Sequence, residues 1–159
     1  MIIYHGSLEI VEQSQIFEAN RSLDFGTGFY TTSSLQQALR WVKLRMEQNN
    51  VSKGYINIYE YSYKKGLNIR RFQSANEAWV NFVHANRTIP GYNHDYDIVI
   101  GPVANDNVYL SFNLYEAGII SKRELIRRLK TYKLVDQLLF HTEKSLETLE
   151  YIGNKEVIR

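Results

Sequence analysis

Two short stretches concentrate the residues able to do chemistry. Asp24 to Thr32 reads Asp-Phe-Gly-Thr-Gly-Phe-Tyr-Thr-Thr, with glycines, aromatics and threonines compressed into nine residues. Gly26 and Gly28 permit positive φ and close approach of the backbone to a ligand, and Phe29-Tyr30-Thr31 has the aromatic, β-branched character of a short strand leaving the turn. This is the composition of a binding loop. The second stretch, Tyr4-His5-Gly6-Ser7, stands at the end of an expected first strand, Met1 to Tyr4. A third feature is charge. Lys122, Arg123, Arg127, Arg128, Lys130 and Lys133 give one helix a basic face, which suits nucleic acid or an acidic partner, although such runs are usually solvated faces.

The elements that must position these residues follow from periodicity and punctuation. Leu35, Ala38, Leu39, Val42 and Met46 recur at helical spacing after Ser33, which with Gln36 fits a capping box, so a helix is expected from about Ser34 to Gln48. Leu8 to Phe17 reads as a short strand plus loop. Tyr55 to Tyr63 alternates tyrosines with Ile56 and Ile58, a strand apolar on both faces and therefore central. Ser74 and Glu77 form a capping box for a helix to about Asn86, Thr88 to Asp95 is a loop, and Asp97 to Ile100 is a buried strand ended by Gly101-Pro102. Asn107 to Tyr115 fits helix or strand, with helix favoured by the stop at Gly118. Ser121 and Glu124 box the basic helix, whose apolar side is Leu125, Ile126 and Leu129. Gln137 to His141 reads as a strand, Thr142 as the cap of a short helix through Leu149, and Tyr151-Ile152 as an edge strand. Strands interspersed with helices, without regular βαβ alternation, predict an α+β fold.

Composition narrows the classes. The chain has 159 residues, 44% apolar and 23% charged, which predicts one globular domain over 1–159 without disorder or a linker. It has no cysteine, and its four histidines are scattered rather than ligand-spaced, so neither a disulfide framework nor a metal site is expected. No apolar run is long enough to cross a bilayer and no signal-peptide pattern opens the chain, so a cytoplasmic protein with no membrane partner is expected. A net charge of +2 is too weak to imply nucleic acid by itself.

His-Gly-Ser on a first strand, followed by Asp-Phe-Gly-x-Gly-Phe-Tyr-Thr-Thr and a helix, resembles the ADP-ribosyltransferase superfamily of the His-Tyr type. The resemblance is closest to an uncharacterised, toxin-like bacterial branch, through Gly-Pro-Val-Ala-Asn-Asp at Gly101 to Asp106 and Gln-x-x-Phe-His-Thr at Gln137 to Thr142. It spans nearly the whole chain. It implies a split β-sheet core flanked by helices, NAD as substrate, a protein or nucleic-acid acceptor and, for a toxin, an antitoxin partner.

The resemblance also assigns roles. His5 bonds ribose hydroxyls, Gly6 leaves room for the nicotinamide amide at the backbone, and Tyr30 stacks on the nicotinamide ring, for which a rigid π face is suited. Ser7, Gly28, Phe29 and Thr31 flank these contacts, and Arg21 is available for a phosphate. The family's late-strand glutamate corresponds to Gln137. An amide bonds a hydroxyl but is no general base, so Asp106 or Glu143 is an alternative source of a carboxylate, and an inactive NAD- or ADP-ribose-binding module is the alternative function.

Overall fold

The computed structural model describes residues 1–18, 24–103 and 106–159, with the side chain of Asp106 outside that description. Arg21, assigned above to a phosphate, also lies outside the described residues. The fold is mixed α and β: a seven-stranded sheet flanked by helices.

In chain order the elements are β1 (Ile2–Ser7), β2 (Phe29–Thr32), α1 (Leu35–Asn49), β3 (Lys53–Tyr61), β4 (Ile69–Arg71), α2 (Glu77–Thr88), β5 (Ile98–Pro102), α3 (Asp106–Glu116), α4 (Lys122–Leu129), β6 (Asp136–Phe140), α5 (Glu143–Leu146) and β7 (Leu149–Ile158). The strands lie in the order β4-β5-β6-β2-β1-β3-β7, and every pairing is antiparallel except β4 with β5. β3 is interior, as its two apolar faces require.

Strand alternation sorts the core into two layers. On one face, Val99 and Leu139 meet Trp79, Val83, Phe112 and Leu125 of α2, α3 and α4, while Ile56 and Val157 meet Ala38, Val42 and Met46 of α1. On the other face, Ile3, Phe29, Tyr59, Leu138 and Phe140 are covered by Leu146 of α5 and by Val11 and Ile16 of the segment after β1.

Several expected boundaries shift. β1 runs to Ser7, so His5-Gly6-Ser7 lies within the strand rather than after it. Leu8 to Phe17 contains no strand; Asn57 holds it instead, accepting from Val11 N (2.8 Å) and donating to Glu9 O (3.1 Å). Ser34, not Ser33, caps α1 by accepting from Gln37 N, and Asn76, not Ser74, caps α2 by accepting from Trp79 N. Ser121 does cap α4, but Glu124 turns to Arg127 and Arg128 instead of closing the box. α5 stops at Leu146, and the expected edge strand at Tyr151-Ile152 extends over ten residues as β7. β4 was not expected at all.

Candidate functional site

The two motifs meet where the sheet is weakest. β1 pairs with β3 over six residues but with β2 through one pair only, Tyr4 with Thr32. Past that pair the imidazole of His5 reaches β2, with Nδ1 2.7 Å from the carbonyl oxygen of Tyr30 and its ring 4.4 Å from that of Phe29. A carbonyl only accepts, so Nδ1 carries the proton and Nε2 is an acceptor. Burial, partly countered by the bond to Tyr30, lowers the pKa of His5 to about 4. At neutral pH His5 is an uncharged group whose Nε2 is able to accept a hydrogen bond.

Tyr30 lies on the opposite face of β2 from His5 and Phe29. Its hydroxyl donates to Gly26 O (2.7 Å), which closes the loop back onto the strand, and its ring borders the helix-side core. Across the next ladder, Tyr30 pairs with Leu139 and Thr32 with Gln137, so Gln137 shares the Tyr30 face two residues along. The β2 threonines fix this register: Thr31 Oγ1 donates to Leu138 O and Thr32 Oγ1 to Asp136 O, each at 2.8 Å. Gln137 is 2% exposed, and among the described residues its Nε2 has no hydrogen-bond partner. A buried amide donor left unpaired costs about 1–3 kcal/mol.

Other assigned residues have packing roles. A Cβ on Gly6 would stand 2.7 Å from Ala38 O, so the glycine lets helix α1 close on β1. A Cβ on Gly28 would stand 2.6 Å from Phe140 O, so that glycine admits β6. Only Gly26, at φ 89°, uses the left-handed freedom expected of the loop. Phe29 and Thr31 are fully buried, and Ser7 Oγ accepts from Glu9 N (3.2 Å). Glu143 is exposed on α5, beyond the opposite end of β6 from Gln137. On α4, Glu124 binds Arg127 (2.7 Å) and Arg128 (3.0 Å), which neutralises part of the basic face.

Residues with no motif anchor the loop. Asp24 is buried beside Arg87 Nη1 (3.9 Å) and accepts from the Tyr109 hydroxyl (3.4 Å), while Arg87 Nε lies 3.3 Å from Glu116. Burial raises the Asp24 pKa against the pull of Arg87. Asp24 was legible as part of the loop, whereas Arg87 and Glu116 are ordinary helix residues until α2 and α3 pack.

Among the described residues, no helix is long and apolar enough to cross a membrane, and no group of three or more His, Cys, Asp or Glu could hold a metal ion. Comparison with curated proteins finds no match. A sequence family described as protein of unknown function (DUF3990) matches residues 1–151. That span carries His5, the Asp24–Thr32 loop and Gln137 together, and the chain belongs to the DUF3990 family.

Proposed function

We propose that the chain is an NAD-dependent mono-ADP-ribosyltransferase of the His-Tyr type, toxin-like, acting on a protein or nucleic acid. The observation that carries this reading is the buried Nε2 of Gln137, without a hydrogen-bond partner among the described residues and held on the Tyr30 face of β6 while His5 is bonded to the Tyr30 carbonyl. The reduced β1–β2 ladder supports the split core the reading requires, since a single pair, Tyr4 with Thr32, joins β4-β5-β6-β2 to β1-β3-β7 within the one sheet.

In transfer, the bond between ribose C1′ and the nicotinamide nitrogen breaks with its electron pair leaving on nicotinamide. The acceptor nucleophile bonds to C1′ and loses its proton to solvent. The protein's part is to bind and orient. Neutral His5 accepts from a ribose hydroxyl through Nε2, and Gln137 Nε2, on the opposite face of the sheet, donates to a ribose oxygen of a dinucleotide that passes the opening beyond the Tyr4–Thr32 pair. Tyr30, tethered at Gly26 O, offers a ring to the nicotinamide. The amide at Gln137 also favours a second reading, a module that binds NAD or ADP-ribose without turnover, because no carboxylate stands there to orient the acceptor.

Labelled NAD incubated with the protein and a cell lysate separates the two. The transferase reading expects label in a macromolecule, protease- or nuclease-sensitive according to the acceptor. Gln137→Ala should lower that transfer by about a hundredfold, the roughly 3 kcal/mol typical of one preorganised transition-state contact. Binding without label transfer would leave the second reading, and transfer unchanged in Gln137→Ala would remove Gln137 from the site.

A further inference from the structure

After β1 the chain runs as an irregular segment across the face of the sheet that α5 covers, and side chains of β3 fasten it there. Asn57 Oδ1 accepts from Val11 N (2.8 Å), Asn57 Nδ2 donates to Glu9 O (3.1 Å), and the Tyr59 hydroxyl donates to Val11 O. Both of these β3 residues are buried, and Val11 and Ile16 pack on the layer that holds Ile3, Phe29 and Tyr59.

The register puts this fastening beside His5. β1 and β3 pair His5 with Asn57 and Ile3 with Tyr59, so the four side chains share one face and Asn57 stands directly opposite the imidazole. Residues so paired have Cβ atoms about 4.5–5.5 Å apart. Asn57 nevertheless spends its carbonyl and an amide hydrogen on the segment, while His5 Nδ1 is bonded to Tyr30 O. The His5 ring rests 4.4 Å from that of Phe29, within the layer on which Val11 and Ile16 pack. Asn57 therefore acts on His5 through the segment it holds.

We propose that Asn57 and Tyr59 are positioning residues for His5: by fastening Glu9 and Val11 over this face they keep water from the imidazole, so that Nε2 remains an acceptor for a ribose hydroxyl. That acceptor role comes from the NAD-binding reading above, on which the proposal rests. Burial lowers the His5 pKa, the bond to Tyr30 O opposes this, and Arg45 of α1 adds a smaller lowering. Of the other groups on this face, Asn57 is uncharged, burial raises the Tyr59 pKa so that its hydroxyl keeps its proton, and Glu9 and Glu12 of the segment are exposed. Burial is thus the main influence, and it is the one the fastening controls. Once the segment is released, water reaches the ring, the second proton binds nearer the ordinary pKa, and Nε2 becomes a donor.

Proton NMR of the histidine rings from pH 8 down to pH 3.5 tests this in Asn57→Ala and in Tyr59→Phe, which deletes one hydroxyl and keeps the ring. His5 is identified by the resonance lost in His5→Gln. Its midpoint should lie at about 4 in the wild type and move toward 6.5 in Asn57→Ala, with a smaller move in Tyr59→Phe, while His94 and His141 stay low. NAD affinity of Asn57→Ala, measured by calorimetry, should then fall by up to about tenfold from pH 8 to pH 5.5, because a ring with its midpoint at 6.5 is roughly nine-tenths protonated one unit lower. The wild type should hold its affinity over the same range. A His5 midpoint unmoved in both variants overturns the proposal even where stability falls, and leaves Asn57 and Tyr59 as anchors only. Midpoints of His5, His94 and His141 rising together overturn it too, because the change is then not local to His5. A moved midpoint with an NAD affinity level in pH overturns the link to ribose. The titration needs no NAD, so failure of the wild type to bind NAD removes the NAD reading alone, and the His5 midpoint still decides what Asn57 and Tyr59 do.

Discussion

Gln137 shows how much a single side chain can say once its surroundings are known. The sequence marks it only as an amide where a carboxylate is expected, and the lack of a partner for its Nε2 among the described residues is visible only after β6 is buried. Its burial also sets a pH signature. A glutamate at a position 2% exposed is desolvated, so in Gln137→Glu the carboxyl should titrate above its ordinary range. NAD hydrolysis by that variant should rise with pH through the shifted pKa, and a profile flat from pH 5 to 8 would contradict the placement. The motifs holding His5 and Tyr30 were legible because they are local, whereas the bond from His5 to the Tyr30 carbonyl was not. The packing constraint at Gly6 was also hidden, because it comes from α1, some thirty residues away. Gly6→Ala should therefore cost about 1–3 kcal/mol by forcing β1 from α1, measured by urea unfolding. A neutral result would reopen a ligand role for that space.

Elements were legible where one strong pattern acts and blurred where several polar residues compete. α1 and α2 were found by their apolar spacing. Their caps were displaced by one or two residues because Ser33-Ser34 and the run from Ser74 to Asn76 each offer alternatives, and the backbone decides among them. β4 escaped because Ile69-Arg70-Arg71 is a three-residue edge strand with no alternation, and most of β7 escaped because an exposed edge tolerates polar residues. The pinned segment after β1 belongs to this scale too. Asn57, fully buried, supplies both of its bonds to Glu9 and Val11. Asn57→Ala should cost roughly 1–3 kcal/mol, since it removes the two bonds that pin a partly exposed backbone segment. Rapid amide exchange at Val11 in that variant would check it, and unchanged protection would contradict it.

At the scale of the molecule, the α+β class was legible from the order of patterns, whereas the reduction of the β1–β2 ladder to the single Tyr4–Thr32 pair was not, because it depends on register. Neutral histidines tie the structure together at that junction and at the loop. His5 and His141 have pKa values lowered to about 4 by burial, and His94 is lowered by burial as well. Between the ordinary value of 6.5 and about 4 the unfolded chain binds more protons than the folded one. The stability due to their neutrality is therefore present above pH 6.5 and lost as pH falls toward 4. Asp24, raised by burial, acts in the opposite sense, and its contribution is lost as pH rises above its ordinary range. The urea midpoint should fall from pH 7 to 4.5, and His141→Asn should flatten that fall. An undiminished slope would place the titrating groups elsewhere.

The central claim is that this chain binds NAD, and thermal unfolding of the wild-type protein across millimolar NAD tests it most directly. A ligand that binds only the folded state stabilises by mass action, about 2.7 kcal/mol at a hundredfold excess over Kd, which for a chain of this size is a rise of roughly 5–10 °C in Tm. The account predicts such a rise, saturating with NAD and diminished in Tyr30→Ala but not in Tyr61→Ala. A cooperative unfolding transition whose midpoint does not move with NAD would contradict it.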